Sequence, residues 1–206
     1  SGANLKADKD THYLEISTFG NTTTSELNAL LKSLDHKPKR LVLDLRNNGG
    51  GIVDQAVEIA GYFINGGVVL YETARDSKKV QTFEVGNEAF LDIPLVVLVN
   101  EDTASSAEIL SGAIQDHKTG VLVGTKTFGK AVVQTIIPMP TGGALKFTTQ
   151  RYLTPLKRDI SKEGLTPDYV VVESEEEKGR RDYSIPIDEM NDIQLRKALE
   201  ILGQLN

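Results

Sequence analysis

The chain has 206 residues, of which 39% are hydrophobic, and its formal net charge is −6. This length suits one α/β domain or two small ones, and the acidic balance argues against a nucleic-acid or anionic-membrane surface, because phosphate binding needs clustered Lys and Arg. The chain contains no cysteine, which excludes disulfides, thiolate metal sites and Cys nucleophiles.

Periodic hydrophobic patterns divide the chain into repeated β and α segments. In chain order they predict a strand over 12–18, a helix over 22–34, a strand over 40–45, a helix over 52–65, a strand over 68–72, a strand over 95–100, a helix over 105–117, and strands over 120–124, 132–138, 144–152 and 169–172. Strand–helix–strand units of this length imply parallel pairing. The sequence therefore predicts a single α/β domain over residues 1–206, and no apolar run approaches the roughly 18 residues of a membrane span.

Three further segments complete the prediction. Residues 73–91 are polar with one apolar alternation, and we interpret them as a hairpin lid over the main layer. The charge run at 173–182 is typical of a solvated loop. Residues 183–206 form a C-terminal segment whose helix is predicted over 188–205. In the first helix, Thr23 or Thr24 is the predicted N-cap.

Ser105 lies where a predicted buried strand passes into a helix, in the run TASSAE. The plainer interpretation is a capping box, in which Ser105 accepts a backbone N–H and Glu108 reaches back to the cap. The functional interpretation uses the same turn to present Ser105 as a nucleophile at the carboxyl edge of the sheet. The N–H of Ser106 at the helix N-terminus would then help to stabilise an oxyanion. Ser106 is the rival nucleophile in this turn.

Lys130 follows in GTKTFGKA, where the plainer interpretation is an exposed lysine. Gly124-x-x-x-x-Gly129-Lys130 matches most of a P-loop, but Ala131 stands where the motif needs Ser or Thr. The β-branched residues that follow predict a strand instead of the helix that would hold phosphates. If Lys130 is held among Phe128, Val132 and Val133, burial would disfavour its charged form, and the neutral amine would take the proton of a serine hydroxyl.

Two further positions fit the same chemistry. Gln134 lies four residues along the predicted strand, on the face of Lys130, and its amide would hold the amine in place; the plainer interpretation is a polar residue on a strand surface. The NNGGG turn after the strand over 40–45 allows close approach of a substrate backbone, and the Gly50 N–H is a predicted second oxyanion donor. The turn lacks the G-x-G-x-x-G spacing of a dinucleotide site.

The histidines offer no competing site. His117 is at the far end of the helix that Ser105 begins, about 18 Å away at 1.5 Å per residue, and the chain has no G-x-S-x-G elbow. His12, His36 and His117 are expected at the surface, and their scattered positions form no metal-ligand spacing. The sequence therefore predicts no metal and no cofactor.

These residues together resemble the carboxyl-terminal processing proteases, the tail-specific serine peptidases. The resemblance runs through DLRNNGGGIVDQAVEIAGYF, LVNEDTASSAEILSGAIQD, VLVGTKTFGKAVVQT, TTQRYLTPLKRDI, GLTPD and QLRKALEIL. It implies a Ser–Lys dyad in which Ser105 is the nucleophile, Lys130 the general base and Gln134 its orienting residue. The oxyanion donors would be backbone N–H groups near Gly50 and of Ser106. The family usually has Pro where Gly49 stands, and Gly where Ala131 stands.

The resemblance also implies a fold, an activity and a cellular location. The fold would be the crotonase and Clp-type α/β spiral, with a small β-rich lid, and the activity would be endopeptidase cleavage of unfolded or C-terminal protein tails. Family members carry a PDZ domain, which receives C-terminal peptides by strand addition, and we expect none in this chain. An extracytoplasmic location, periplasmic or secreted, is implied, and homo-oligomerisation stays open.

Two alternatives remain at this point. One is a non-catalytic relative that binds apolar ligands, as retinoid-binding modules of the same fold do, or peptides. The other is an adaptor whose activity depends on a partner that supplies the recognition domain.

Overall fold

The computed structural model describes residues 3–8, 10–34, 37–74, 80–86, 90–139, 142–178 and 191–205. The strands are β1 (Ala3–Asp8), β2 (Thr11–Ile16), β3 (Arg40–Asp44), β4 (Gly67–Ala74), β5 (Val80–Val85), β6 (Leu95–Val99), β7 (Val121–Gly124), β8 (Val132–Pro138), β9 (Ala144–Leu153) and β10 (Tyr169–Val170). The helices are α1 (Thr23–Lys32), α2 (Val53–Ala60), α3 (Ser106–His117), α4 (Glu175–Lys178) and α5 (Ile193–Gln204).

A six-stranded sheet forms the centre of the fold, in the order β1-β2-β3-β6-β7-β10. All its pairs are parallel except β1 with β2. The parallel strands β2, β3, β6, β7 and β10 follow one another in a single direction across the sheet. Right-handed crossovers between them therefore place the connecting helices on one face of the sheet. The parallel order confirms the prediction of an α/β fold built from βαβ units.

The alternating side chains of this sheet enter two separate hydrophobic clusters. Odd-numbered residues of β3 and β6 such as Leu43 and Val97 pack with residues of α1, α2 and α3, whereas Val42, Val96 and Leu98 pack against α5. The sheet is therefore buried on both faces, as continuous apolar runs in parallel strands require.

A second, antiparallel sheet has the order β5-β4-β9-β8. Its strands β4 and β5 contact the helices α3 and α2 respectively. The hairpin predicted over 73–91 thus contributes β5, which pairs with β4 in this sheet. Residues 75–79 and 87–89 lie outside the described residues, and a lid role for the hairpin stays a prediction.

Several predicted boundaries differ from the structure. Residues 3–8 form a strand that the polar N-terminus did not predict. The helix predicted over 52–65 ends at Ala60 and is followed by turns, and the charge run contains the short helix α4. The N-cap position of α1 is Thr22, while the Thr23 hydroxyl accepts the N–H of Gly20 and thus stabilises the preceding turn. No helix in the described part of the chain is long and apolar enough to cross a membrane.

Candidate active site

Two turns at the carboxyl ends of β3 and β6 are joined by hydrogen bonds. The Asn47 N–H donates to Asn100 Oδ1 at 2.8 Å, and the Asn100 side-chain amide donates back to Asn47 Oδ1 at 2.7 Å. The Ala104 N–H donates to the Asn48 carbonyl at 2.9 Å. Because β3 and β6 are parallel neighbours, their carboxyl ends lie at one edge of the sheet. The NNGGG turn and the TASSAE turn therefore form one rigid unit.

Gly50 packs directly against the Ser105 turn. With φ of 95°, a Cβ at this position would lie 2.7 Å from the Ala104 carbonyl oxygen and from Ser105 Cβ, so only glycine fits. The Gly50 N–H donates to Asn48 Oδ1 at 2.8 Å. This predicted oxyanion donor thus already has an acceptor, and its N–H would have to be shared to bind a substrate oxygen.

Ser106 uses its two polar groups differently. Its hydroxyl is buried and donates to the Gly51 carbonyl at 2.9 Å, which ties it into the turn. Its N–H, at the start of α3, has no acceptor among the residues that the structure describes. A free N–H at a helix N-terminus is suited to an anion.

Ser105 is the N-cap of α3 and has φ 57° and ψ −120°. This backbone region is sparsely populated for any residue other than glycine and costs on the order of 1–3 kcal/mol. Its side chain is half-buried. The structure thus holds Ser105 in a strained turn at the edge of the sheet.

The Glu108 carboxylate joins this turn to the loop that carries Lys130. Glu108 is fully buried and accepts four hydrogen bonds. Its Oε2 accepts from the N–H groups of Ser105 at 3.0 Å and Lys130 at 2.8 Å, and its Oε1 accepts from the Gly129 N–H at 2.7 Å and the Thr127 hydroxyl at 2.6 Å. The two nitrogens bound to Oε2 are therefore no more than about 6 Å apart.

The capping-box pattern around Ser105 was therefore an incomplete interpretation. The bond from the Ser105 N–H to Glu108 is the local part that Ser-x-x-Glu predicts. The other three bonds come from residues 127–130, which no local pattern indicates. Glu108 is a functional candidate that the sequence showed only as a cap.

Lys130 lies in the irregular segment before β8 and is half-buried. The expected apolar enclosure differs in the structure, because Phe128 is 62% exposed. The Phe128 N–H donates to the Thr103 carbonyl at 3.0 Å, so the main chain at Phe128 is tied to the segment that precedes Ser105. The exposed Phe128 ring is an apolar surface two residues from Lys130 in the chain.

Tyr152 on β9 completes the contacts between these segments. Its buried hydroxyl lies 2.7 Å from the Lys130 carbonyl and 3.1 Å from the Ser105 carbonyl. Burial, followed by the negative charge of Glu108, raises the pKa of Tyr152 well above its usual value of 10.0. Sequence reasoning did not single out Tyr152, because its partners are distant in the chain.

Gln134 lies in β8, where its backbone pairs in register with Thr148 beside an irregularity between Val133 and Gln134. Its side chain is outside the described part of the structure. Lys130 precedes the strand, so a period of two does not relate the two side chains. The orienting role of Gln134 stays a prediction.

A buried charge cluster supports the NNGGG turn from the other face of the sheet. Arg46 donates to Asp44 on β3 and pairs at 2.8 Å with Asp192, whose side chain caps α5. Its NH1 group also donates to Gln194 at 3.0 Å. Burial opposes the charge of Arg46, but the carboxylates of Asp44 and Asp192 outweigh this effect and raise the pKa of Arg46 well above its ordinary value.

The histidines lie apart from this site. His12 is buried in β2, which corrects the expectation that it is exposed. His117 is half-buried, and its Nε2 lies 2.7 Å from the Val68 carbonyl. His36 lies outside the described residues. Within the described ranges, no group of three or more acidic or histidine side chains could hold a metal ion.

Comparison with known proteins gives consistent matches. The model of peptidase family S41 matches residues 10–171. The chain is 39% identical over 179 residues to a carboxy-terminal-processing protease of Bartonella bacilliformis, covering 84% of this chain and 41% of that protein. It is 38% identical over 196 residues to a carboxyl-terminal-processing protease of Picosynechococcus, covering 93% of this chain and 45% of the relative. The chain thus spans less than half the length of these relatives.

Solved structures show the same similarity. The photosystem II D1 C-terminal processing protease has a TM-score of 0.70 and 36% sequence identity, over 79% of this chain and 42% of that one. An S41 protease of Bacteroides fragilis has a TM-score of 0.77 over 99% of this chain and 57% of its own, but at 18% identity it supports only the fold.

Proposed function

Since the chain belongs to peptidase family S41, whose relatives are carboxyl-terminal processing serine proteases, we propose that it is an endopeptidase with a Ser105–Lys130 dyad. The observation that carries this proposal is the Glu108 carboxylate oxygen that accepts the N–H groups of both residues. It brings a strained serine at a helix N-terminus and a half-buried lysine into one small region. A serine nucleophile needs a base within hydrogen-bond reach.

In the proposed reaction, the neutral Lys130 amine takes the proton of the Ser105 hydroxyl as Oγ attacks the scissile carbonyl carbon. The oxyanion lies against the Ser106 N–H and, when it displaces Asn48 Oδ1, the Gly50 N–H. Lys130 then donates the proton to the leaving amine as the C–N bond breaks, which leaves an acyl-enzyme. The same amine next activates a water that releases the acyl group and restores Ser105.

The finer features of the resemblance belong to this proposal. Gln134 would orient the Lys130 amine, the core would be a crotonase and Clp-type spiral, and the substrates would be unfolded or C-terminal protein tails. The exposed Phe128 ring, two residues before Lys130 in the chain, supports apolar substrate residues near the cut. The extracytoplasmic location rests on the resemblance alone.

The test is cleavage of unfolded casein by the chain and by matched variants. Ser105→Ala and Lys130→Ala should each lower the rate at least about 100-fold, because they remove the nucleophile and its base. Lys126→Ala is the control, since Lys126 lies in the same loop but pairs with Glu163 at the surface. Gln134→Ala should have a smaller effect.

Cleavage that persists at the parental rate in either dyad variant would contradict the proposal. So would the absence of cleavage by the parent. Tight binding of peptides without turnover would instead support the non-catalytic alternative.

A further inference from the structure

We propose that Tyr152 is a positioning residue that sets the spacing between Ser105 and Lys130; this inference rests on the proposed function. The phenol oxygen of Tyr152 lies 2.7 Å from the Lys130 carbonyl oxygen and 3.1 Å from the Ser105 carbonyl oxygen. A phenol has one proton to donate, so the shorter bond is the main one and the other shares it. One hydroxyl thus links the main chains of both dyad residues.

Glu108 makes the complementary contacts. Its Oε2 accepts the N–H groups of the same two residues. Ser105 and Lys130 are therefore each held at their N–H by a carboxylate and at their carbonyl by a phenol, an arrangement that we name the Glu108–Tyr152 clamp. These contacts reach only main-chain atoms of Ser105 and Lys130, so Tyr152 acts through the dyad instead of touching the reacting atoms.

The surroundings of Tyr152 keep the hydroxyl in place. Its side chain is 1% exposed, and its backbone N–H donates to the Ala131 carbonyl at 3.3 Å. On its other side, Tyr152 pairs in register with Glu72 of β4. Tyr152 is thus held on a central strand of the second sheet, and from there its hydroxyl contacts the main chain of Ser105 and Lys130.

The phenol also keeps its proton throughout the pH range in which a protease works. Burial and the nearby Glu108 carboxylate raise the pKa of Tyr152. The protonated form is the one that can donate to two carbonyl oxygens, whereas a phenolate would repel them. The clamp is therefore a constant feature of the site and not a pH switch.

Removal of the Tyr152 hydroxyl should change the distance between Ser105 and Lys130. Displacement of a catalytic group by about 1 Å can cost about 100-fold in rate. Tyr152→Phe removes one oxygen and keeps the ring that fills the core. We expect kcat to fall about 10- to 100-fold while KM stays within about twofold, because the substrate still binds the same surface.

The experiment measures kcat and KM on an unfolded substrate for the parent, Tyr152→Phe and Tyr62→Phe. Tyr62 is the matched control, because it is also a buried tyrosine and its pKa is likewise raised by burial. Tyr62→Phe should keep the parental kcat. A purely structural loss would raise hydrogen exchange throughout the protein, and not only in the segments that the clamp joins.

Hydrogen exchange of the same three proteins separates failure of the clamp from failure of the proposed function. Tyr152→Phe should exchange faster at residues 103–106 and 127–130, and Tyr62→Phe should not. If Ser105→Ala cleaves at the parental rate, the proposed function fails, but faster exchange in Tyr152→Phe alone would still support the clamp. Parental exchange together with parental kcat in Tyr152→Phe would overturn the inference.

Discussion

The backbone strain at Ser105 predicts an unusual result: a glycine at this position should make the protein more stable than an alanine. Ser105→Gly and Ser105→Ala both remove the hydroxyl, so neither should be active. They differ in how well they tolerate φ 57° and ψ −120°. Glycine adopts such a conformation without a Cβ clash, whereas alanine keeps the strain of the serine.

The magnitude follows from two opposing contributions. The strain of a non-glycine residue in such a region is on the order of 1–3 kcal/mol. Glycine loses about 0.5–1 kcal/mol through the greater freedom of its unfolded chain. At mid-range values of about 2 and about 0.75 kcal/mol, Ser105→Gly should be more stable than Ser105→Ala by about 1 kcal/mol, or roughly 2–4 °C in Tm for a chain of this size.

Urea unfolding and differential scanning calorimetry of the two variants test this prediction. The two variants can be compared directly with each other, because both lack the Ser105 hydroxyl and any contacts that it makes. Equal stability, or a more stable Ser105→Ala, would refute the claim that the fold stores strain at this turn.

Three further predictions concern the surroundings of the site. Gly50→Ala should lower stability by more than about 2 kcal/mol in urea unfolding, because its Cβ would lie 2.7 Å from backbone and Ser105 atoms, whereas Gly49→Ala, with open space around the added Cβ, should be neutral. Arg46→Met should cost about 3–5 kcal/mol in the same assay, since it leaves two buried carboxylates without their cation. Burial, followed by the charge of Asp54, raises the pKa of Glu72 from 4.5, so the charged carboxylate destabilises the folded state at neutral pH. Glu72→Gln should therefore have a higher Tm than the parent at pH 7. The difference should vanish below about pH 4.5, where the Glu72 carboxyl is protonated in both the folded and the unfolded state.

The parts of the fold that local patterns govern could be predicted. Continuous apolar runs over β3 and β6, each followed by a helical pattern, indicated buried parallel strands, and the structure pairs them in parallel. The second sheet was not predicted as a sheet, because its strands β4 and β9 are almost 70 residues apart in the chain and no local signal reports their pairing. Strand β1 was missed because its polar residues lie on an edge, where one neighbour suffices.

In the candidate site, too, residues marked by local patterns could be predicted, whereas roles that depend on contacts between distant residues could not. Ser105, Ser106 and Gly50 could be singled out because strand-to-helix turns at the carboxyl edge of a parallel sheet converge. The role of Glu108 could not, since three of its four donors come from residues 127–130. The bond between the Gly50 N–H and Asn48 depends on the rotamer of one side chain, which composition and spacing do not determine.

The proposed dyad is best tested by the rate at which a serine-reactive fluorophosphonate modifies the chain, with the modified residue identified by mass spectrometry. This reaction needs an activated serine but no recognition of a protein substrate. We expect modification of Ser105 alone in the parent and in Lys126→Ala, and a rate at least about 100-fold lower in Lys130→Ala. Modification of Ser106, or an undiminished rate in Lys130→Ala, would contradict the Ser105–Lys130 dyad.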